Sequence, residues 1–81
     1  MTDRLDNAVT LDARGLLCPE PLMMLRNRVR EMRDGEEIEV SATDPSTVRD
    51  FTDFCRFMGH QLLAQRQSGD TLYFRIRKGS A

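Results

Sequence analysis

One cysteine in this sequence has neighbours that favour chemical reactivity. Cys18 lies in the run Gly-Leu-Leu-Cys-Pro-Glu-Pro, residues 15–21. Proline fits the first turn of a helix, which predicts a helix with Pro19 at its first position, Pro21 at its third and Cys18 as its cap. A thiolate at a helix N-terminus is stabilised by the helix dipole, which lowers the thiol pKa. We therefore expect a moderately activated thiol at Cys18, with a small buried hydrophobic residue at a turn as the alternative.

The residues around Cys18 support this interpretation and limit it. Gly15 permits the turn that delivers the cysteine to the helix. The prolines remove two backbone donors, which leaves Glu20 N–H as the expected partner of the sulfur and the Glu20 carboxylate as an opposing charge. A second helix is predicted to start with Asp44 as its cap and Pro45 at its first position. Because cysteine caps helices poorly, its use at the first helix indicates a chemical role.

The second cysteine and the single histidine are predicted to be structural. Cys55 lies between Phe51 and Met58 on the apolar stripe of the second helix, so we expect it in the core with low reactivity. His60 lies beyond that helix and is expected to be solvated, so no catalytic pair with Cys18 is expected. The histidine and the cysteines have no metal-ligand spacing, and we expect no metal and no cofactor.

Six elements in the order βαβαββ are predicted to position Cys18. Alternating apolar residues predict four strands, at residues 8–13, 36–42, 61–66 and 71–78. Helical spacing predicts one helix over residues 19–33 and another that ends at a left-handed Gly59. A right-handed crossover makes the first two strands parallel, and a turn at residues 68–70 closes a terminal hairpin. The fold class is α+β: a two-layer sandwich with a four-stranded mixed sheet and both helices on one face.

Composition narrows the possible functions. The 81 residues predict one domain, residues 1–81, with loose ends at residues 1–7 and 79–81. A net charge of −1 gives no bulk attraction to nucleic acid or to membranes. We expect no membrane span and no secretory signal, and hence a cytoplasmic location with reduced thiols. The protein is expected to be a monomer on its own.

Several side chains of the predicted helices are candidates for partner contact. Met23 and Met24 lie off the apolar stripe of the first helix, so they form either a docking patch near Cys18 or the edge of the core. Arg26 and Arg30, on the same helix, are further candidates, although such charged runs are usually solvated. Phe57 of the second helix is either an exposed partner contact or packed under a loop.

These features together resemble the TusA/SirA family of small sulfur-carrier proteins. The resemblance rests on the Cys-Pro-x-Pro motif with Gly15 before it, the arginine-rich helix, the acidic strand, Asp44-Pro45 and the basic hairpin, and it spans residues 8–78. It implies that Cys18 accepts sulfane sulfur from a cysteine desulfurase as a persulfide and passes it to a downstream acceptor protein. It also implies a carrier more than a stand-alone enzyme, in tRNA 2-thiouridine synthesis, sulfur oxidation or molybdenum-cofactor pathways.

Two other classes of function remain open from the residues alone. An arginine-rich helix and a basic last strand could belong to an RNA-binding module, but residues 36–53 contain six acids and one base, and only Tyr73 offers an evident stacking ring. We therefore expect no direct nucleic-acid contact. A thiol-based redox protein would use Cys18 with Cys55 as its resolving partner, which the predicted core position of Cys55 disfavours.

Overall fold

The computed structural model describes residues 9–79 and has the predicted order of elements. Four strands are present: β1 (Val9–Ala13), β2 (Glu37–Ala42), β3 (Gln61–Ser68) and β4 (Thr71–Arg77). The helices are α1 (Glu20–Glu31) and α2 (Thr47–Met58). The sheet order is β1-β2-β4-β3, with β1 parallel to β2 and the other neighbours antiparallel. The predicted α+β class and mixed four-stranded sheet are thus confirmed.

The core lies between the sheet and the two helices. Alternation in β2 and β4 turns residues such as Val40 and Phe74 inward, where Phe74 meets Phe51 of α2 edge to face with ring centroids 4.7 Å apart. The buried apolar residues form one cluster: Ala13, Leu25, Val29, Met32, Ile38, Val40, Ala42, Phe51, Cys55, Leu72, Phe74 and Ile76. The apolar stripe of each helix therefore packs on one face of the sheet.

The parallel pair β1 and β2 brings the starts of both helices to one edge of the sheet. Ala13 pairs with Ala42 at the ends of these strands, so the two following loops leave side by side. A hydrogen bond joins the loops, from Gly15 N–H to Thr43 Oγ1 at 2.9 Å. Any chemistry at the start of α1 therefore occurs next to the start of α2.

The start of α1 differs from the prediction. The helix begins at Glu20 with Pro19 as its N-cap residue, and the Cys18–Pro19 peptide bond is cis. Cys18 is therefore not the cap, and Pro21 occupies the second helical position instead of the third. Pro21 is buried, which anchors the first turn against the core.

The start of α2 is also later than predicted. Asp44 and Pro45 lie in a turn that precedes the N-cap residue Ser46. The Asp44 carboxylate accepts the Ser46 N–H at 3.0 Å, and the Asp44 carbonyl accepts the Thr47 N–H at 3.0 Å. Asp44 thus organises the approach to the helix without being its cap, because its side chain closes a turn of its own.

The end of α1 is earlier than predicted, and that of α2 is as predicted. α1 ends at Glu31 because residues 33–36 form a turn in which Arg33 N–H donates to Glu36 Oε1 at 2.7 Å. Gly59 ends α2 in the left-handed conformation, with φ of 77°, as expected. Met58, assigned to the apolar stripe, is instead 56% exposed, because the last turn of α2 extends past the core.

The chain beyond β4 is held in place as far as Gly79. Gly79 N–H donates to Nδ1 of His60 at 3.0 Å, and a Cβ atom on Gly79 would lie 1.8 Å from the Gly59 carbonyl oxygen. At this position the chain is hydrogen-bonded, whereas the sequence predicted a loose end from residue 79. Residues 1–8, 80 and 81, including the predicted first residue of β1, lie outside the described part of the chain. Within residues 9–79 no helix is long and apolar enough to span a membrane.

Candidate functional site

Cys18 is exposed and is hydrogen-bonded to two acidic residues, Asp50 of α2 and Asp44 of the turn before α2. Its thiol donates a hydrogen bond to Oδ2 of Asp50, with 3.4 Å between sulfur and oxygen. Its backbone N–H donates to Oδ2 of Asp44 at 2.7 Å. The cysteine is thus fixed by its main chain and oriented by its side chain, although it lies in a connection between a strand and a helix.

The other residues of the motif build this connection. Gly15 has a φ of 81°, a left-handed conformation that glycine adopts without strain. Leu17 carbonyl accepts the Glu20 N–H at 2.9 Å, and Pro19 carbonyl accepts the Met23 N–H at 3.1 Å. The first-turn donors at Glu20 and Met23 are therefore satisfied by the chain itself. Glu20 N–H does not bond the sulfur, contrary to expectation.

The electrostatic environment raises the pKa of the Cys18 thiol, and the predicted lowering is wrong. The largest cause is the hydrogen bond to Asp50, followed by desolvation, while the Ser46 hydroxyl acts in the opposite direction. A carboxylate that accepts the thiol proton stabilises the protonated form. Cys18 precedes the N-cap residue of α1 and therefore lies outside the first helical turn, where the helix dipole acts most strongly.

Asp50 is the residue that the sequence prediction missed. It lies in the first turn of α2, where an acidic side chain is commonly explained by the helix dipole alone. A signal for its role was available, since parallel strands place the first turns of the following helices at the same edge of a sheet. An acid in the first turn of α2 is therefore a neighbour of a cysteine at the start of α1.

Cys55 and His60 have structural positions. Cys55 is 3% exposed, and burial raises its pKa to about 11, which confirms the expected core position. His60 follows α2 at the opposite end from Asp50, and its ring packs at 5.1 Å from the ring of Phe54. Burial lowers the pKa of His60, whose Nδ1 accepts a backbone hydrogen bond from Gly79. It is thus half-buried instead of solvated, and its contacts are with Phe54 and Gly79.

The candidate contact residues are unequally exposed. Met23 is 53% exposed, while Met24 is half-buried. Arg26 and Arg30 are exposed on α1. Large apolar side chains exposed within the described residues are Leu17, Met23, Phe57, Met58 and Leu63. Leu17, which the sequence did not single out, immediately precedes Cys18 and is 72% exposed.

The opposite face of the sheet carries paired charges. Arg75 bonds both Glu37 and Glu39, with 2.5 Å between its Nε and Glu37 Oε1. The Arg66 guanidinium lies 4.3 Å from the centroid of the Tyr73 ring and covers it. This face contains a shallow depression of about 610 Å³. The one evident stacking ring is occupied and the arginine charge is compensated, so the RNA-binding alternative gains no support.

The described residues also bear on metal binding and redox pairing. Across residues 9–79, no group of three or more histidine, cysteine, aspartate or glutamate residues is arranged to hold a metal ion. Both cysteines are free thiols, Cys18 at the surface and Cys55 in the core. A disulfide between them would require Cys55 to leave the core, which disfavours the redox alternative.

The fold and the site define a class of protein: a small two-layer α+β domain that exposes one thiol just before its first helix and buries its other thiol. A family model described as "Sulfurtransferase TusA" matches residues 9–78. A curated relative, "Sulfur carrier protein TusA" of Pseudomonas entomophila (strain L48), is 54% identical over 78 residues, which cover 96% of each chain. The chain therefore belongs to the TusA family of sulfur carrier proteins.

Proposed function

We propose that the protein accepts sulfane sulfur from a cysteine desulfurase as a persulfide on Cys18 and passes it to a downstream acceptor protein. The pathway would be tRNA 2-thiouridine synthesis or a related route of sulfur trafficking, in the cytoplasm. The observation that carries the proposal is the exposed Cys18 thiol in a chain whose other thiol is buried. The name of the relative, a sulfur carrier protein, supports the same assignment.

The chemistry of such a relay matches a site of this simplicity. The sulfur of Cys18 attacks the outer sulfur of the donor persulfide, a new S–S bond forms on Cys18, and the donor cysteine leaves as a thiolate. The second transfer repeats this exchange with the acceptor. Both the attacking and the leaving atoms are sulfur, so no oxyanion needs stabilisation and no metal or cofactor is required. Access for two partners in turn is the main requirement.

Partner contact is assigned to the surface around the start of α1. Leu17 and Met23 are exposed apolar side chains on either side of Cys18 in the sequence, and apolar side chains of this kind form the centre of protein interfaces. Arg26 and Arg30 are exposed further along α1 and would contribute charge at the rim of the interface. The proposal includes no direct contact with nucleic acid and a monomer in the absence of partners.

The proposal is tested by loading the protein in vitro. The protein is incubated with a cysteine desulfurase and free cysteine, and intact mass spectrometry followed by peptide mapping locates any added sulfur atom. We expect one added sulfur on Cys18. Cys18→Ser should take up none while remaining folded by circular dichroism, because serine can donate the same hydrogen bond to Asp50. Sulfur uptake by the folded Cys18→Ser protein would refute the assignment.

A further inference from the structure

The contact between Cys18 and Asp50 has a consequence for when the thiol can react. The sulfur is exposed, yet its proton is directed to Asp50 Oδ2 at 3.4 Å. The backbone N–H of Cys18 is bonded to Asp44 Oδ2, so the main chain at Cys18 is held beside the start of α2. A surface cysteine can usually adopt any of three staggered rotamers, whereas this one has a preferred acceptor.

We propose that Asp50 is a positioning residue that holds the proton of unloaded Cys18 and slows the reactions of the sulfur until a docked sulfur donor neutralises or displaces the Asp50 carboxylate. This inference rests on the proposed function, since it concerns the regulation of the same thiol. It explains how the reaction of an exposed cysteine in a carrier with small electrophiles is slowed between transfers.

The loading step shows where the carboxylate acts. Loading joins the outer sulfur of the donor to Cys18 and breaks the S–S bond of the donor, with no net oxidation or reduction. The proton of Cys18 goes to solvent, and the departing donor thiolate takes up a proton from solvent. Only the deprotonated sulfur attacks. A carboxylate that retains the proton therefore slows this step, and its neutralisation on docking accelerates it.

The charged groups around the sulfur agree in sign. Asp50 faces it from α2 and Asp44 from the turn before α2, and both raise the pKa of the Cys18 thiol. Hydrogen bonds from Ser46 and Cys18 backbone N–H groups lower the pKa of Asp44, so this carboxyl stays ionised at neutral pH. Glu20, the first residue of α1, adds a further acid near the site. Asp50 is distinguished from the others because it alone accepts the thiol hydrogen bond.

The test measures the rate at which Cys18 reacts with the neutral disulfide 4,4′-dithiodipyridine as a function of pH, with no protein partner present. Asp50→Asn should move the midpoint of the pH–rate profile to lower pH. For each pH unit by which the midpoint falls, the thiolate fraction at neutral pH rises about tenfold and the intrinsic nucleophilicity of the thiolate falls about threefold. The net gain in rate is about threefold. Asp50→Glu should restore a profile close to that of the unchanged protein.

A matched control removes the same charge elsewhere on α2. Asp53 lies three residues further along the helix and pairs with Arg56 at 3.9 Å, so Asp53→Asn should leave the profile unchanged. A folded Asp50→Asn protein whose profile coincides with that of the unchanged protein would overturn the proposal. If Asp50→Asn does not fold, the proposal is tested by pH titration of the thiolate absorbance of the unchanged protein. It requires a higher titration midpoint for Cys18 in the native state than in urea.

A second measurement separates failure of this inference from failure of the proposed function. A small alkyl persulfide replaces the desulfurase as donor, and sulfur on Cys18 is measured by mass spectrometry. We expect Asp50→Asn to load faster than the unchanged protein. A shifted pH–rate profile without any loading would refute the carrier function alone, whereas normal loading with identical profiles would refute the role of Asp50 alone.

Discussion

The two cysteines of this small protein differ in exposure, and their positions in the fold account for the difference. Cys18 lies in a loop with its thiol at the surface, whereas Cys55 lies on the buried stripe of α2. Burial disfavours the charged thiolate, and in Cys55 it is the only cause of the raised pKa. In Cys18 the first cause is a hydrogen bond, which a partner or a substitution can remove.

This difference predicts the order in which the thiols react. Iodoacetamide at neutral pH should modify Cys18 well before Cys55 in the native protein. Modification of both thiols should require unfolding, as measured by peptide mapping. Cys55→Ser should lower the free energy of unfolding by about 1–3 kcal/mol because the buried hydroxyl lacks an assured partner. Cys55→Ala should cost only about 1 kcal/mol, for a small cavity. Both variants should still accept sulfur.

Equal modification rates for the two thiols of the native protein would contradict the buried position of Cys55. Loss of sulfur acceptance in a folded Cys55→Ala protein would return a two-cysteine redox mechanism as the leading alternative.

Residue type and spacing were sufficient to predict which cysteine is exposed and which is buried, because helical periodicity is a local property. The direction of the Cys18 pKa shift could not be obtained in the same way. It depends on Asp50, which is 32 residues away in the chain and reaches the sulfur only after two strands have paired. Long-range partners of this kind appear in a sequence only through the topology that brings them together.

At the scale of elements, the order and type of every strand and helix were predictable, while several boundaries were not. Strand alternation in β2 and β4 and the stripes of both helices follow from apolar spacing. α2 starts later than predicted because the two oxygens of the Asp44 carboxylate accept hydrogen bonds from Ser46 N–H and Cys18 N–H. A carboxylate that binds another loop is not free to cap its own helix.

The close approach of two segments at Gly79 leads to a prediction about stability. Gly79→Ala should lower the free energy of unfolding by about 1–3 kcal/mol, because the new Cβ atom would overlap the backbone of Gly59, which cannot move as a flexible side chain would. Urea denaturation measures the change. Gly69→Asn serves as control, since its surroundings are open and asparagine tolerates its φ of 62°.

The control should change stability by no more than about 0.5 kcal/mol. A Gly79→Ala protein as stable as the control would mean that the backbone around Gly59 adjusts freely, and the packing at the end of β4 would then contribute little.

At the scale of the whole molecule, the two faces of the sheet have different chemistry. The helical layer presents exposed apolar side chains and an excess of basic over acidic side chains along α1. On the open face, Arg75 is paired with Glu37 and Glu39. The exposed Cys18 thiol lies at the edge of the sheet where both helices start. A partner that reaches Cys18 therefore meets α1 and the start of α2 before it meets the open face.

This geometry predicts a dependence on salt. Arg26→Glu or Arg30→Glu should slow sulfur loading by the desulfurase about tenfold at low ionic strength, because rim charges act mainly on association rates. The difference should shrink as salt is added, since screening weakens attraction between exposed charges. Arg66→Glu makes the same charge change on the open face and should have little effect. Identical loading rates for all three variants at low salt would make Arg26 and Arg30 ordinary solvated residues.

The strand order also determines when the protein can fold during its synthesis. β4 is the last of the six elements to be made, yet it lies between β2 and β3 in the sheet. Until its residues leave the ribosome, β2 has no antiparallel neighbour, and the core lacks Leu72, Phe74 and Ile76. The layers therefore cannot close progressively from the N-terminus. We therefore expect the complete sheet and core to form only after β4 has been translated, so that the pairing of β1 with β2, which brings Cys18 to Asp50, gains its full support late.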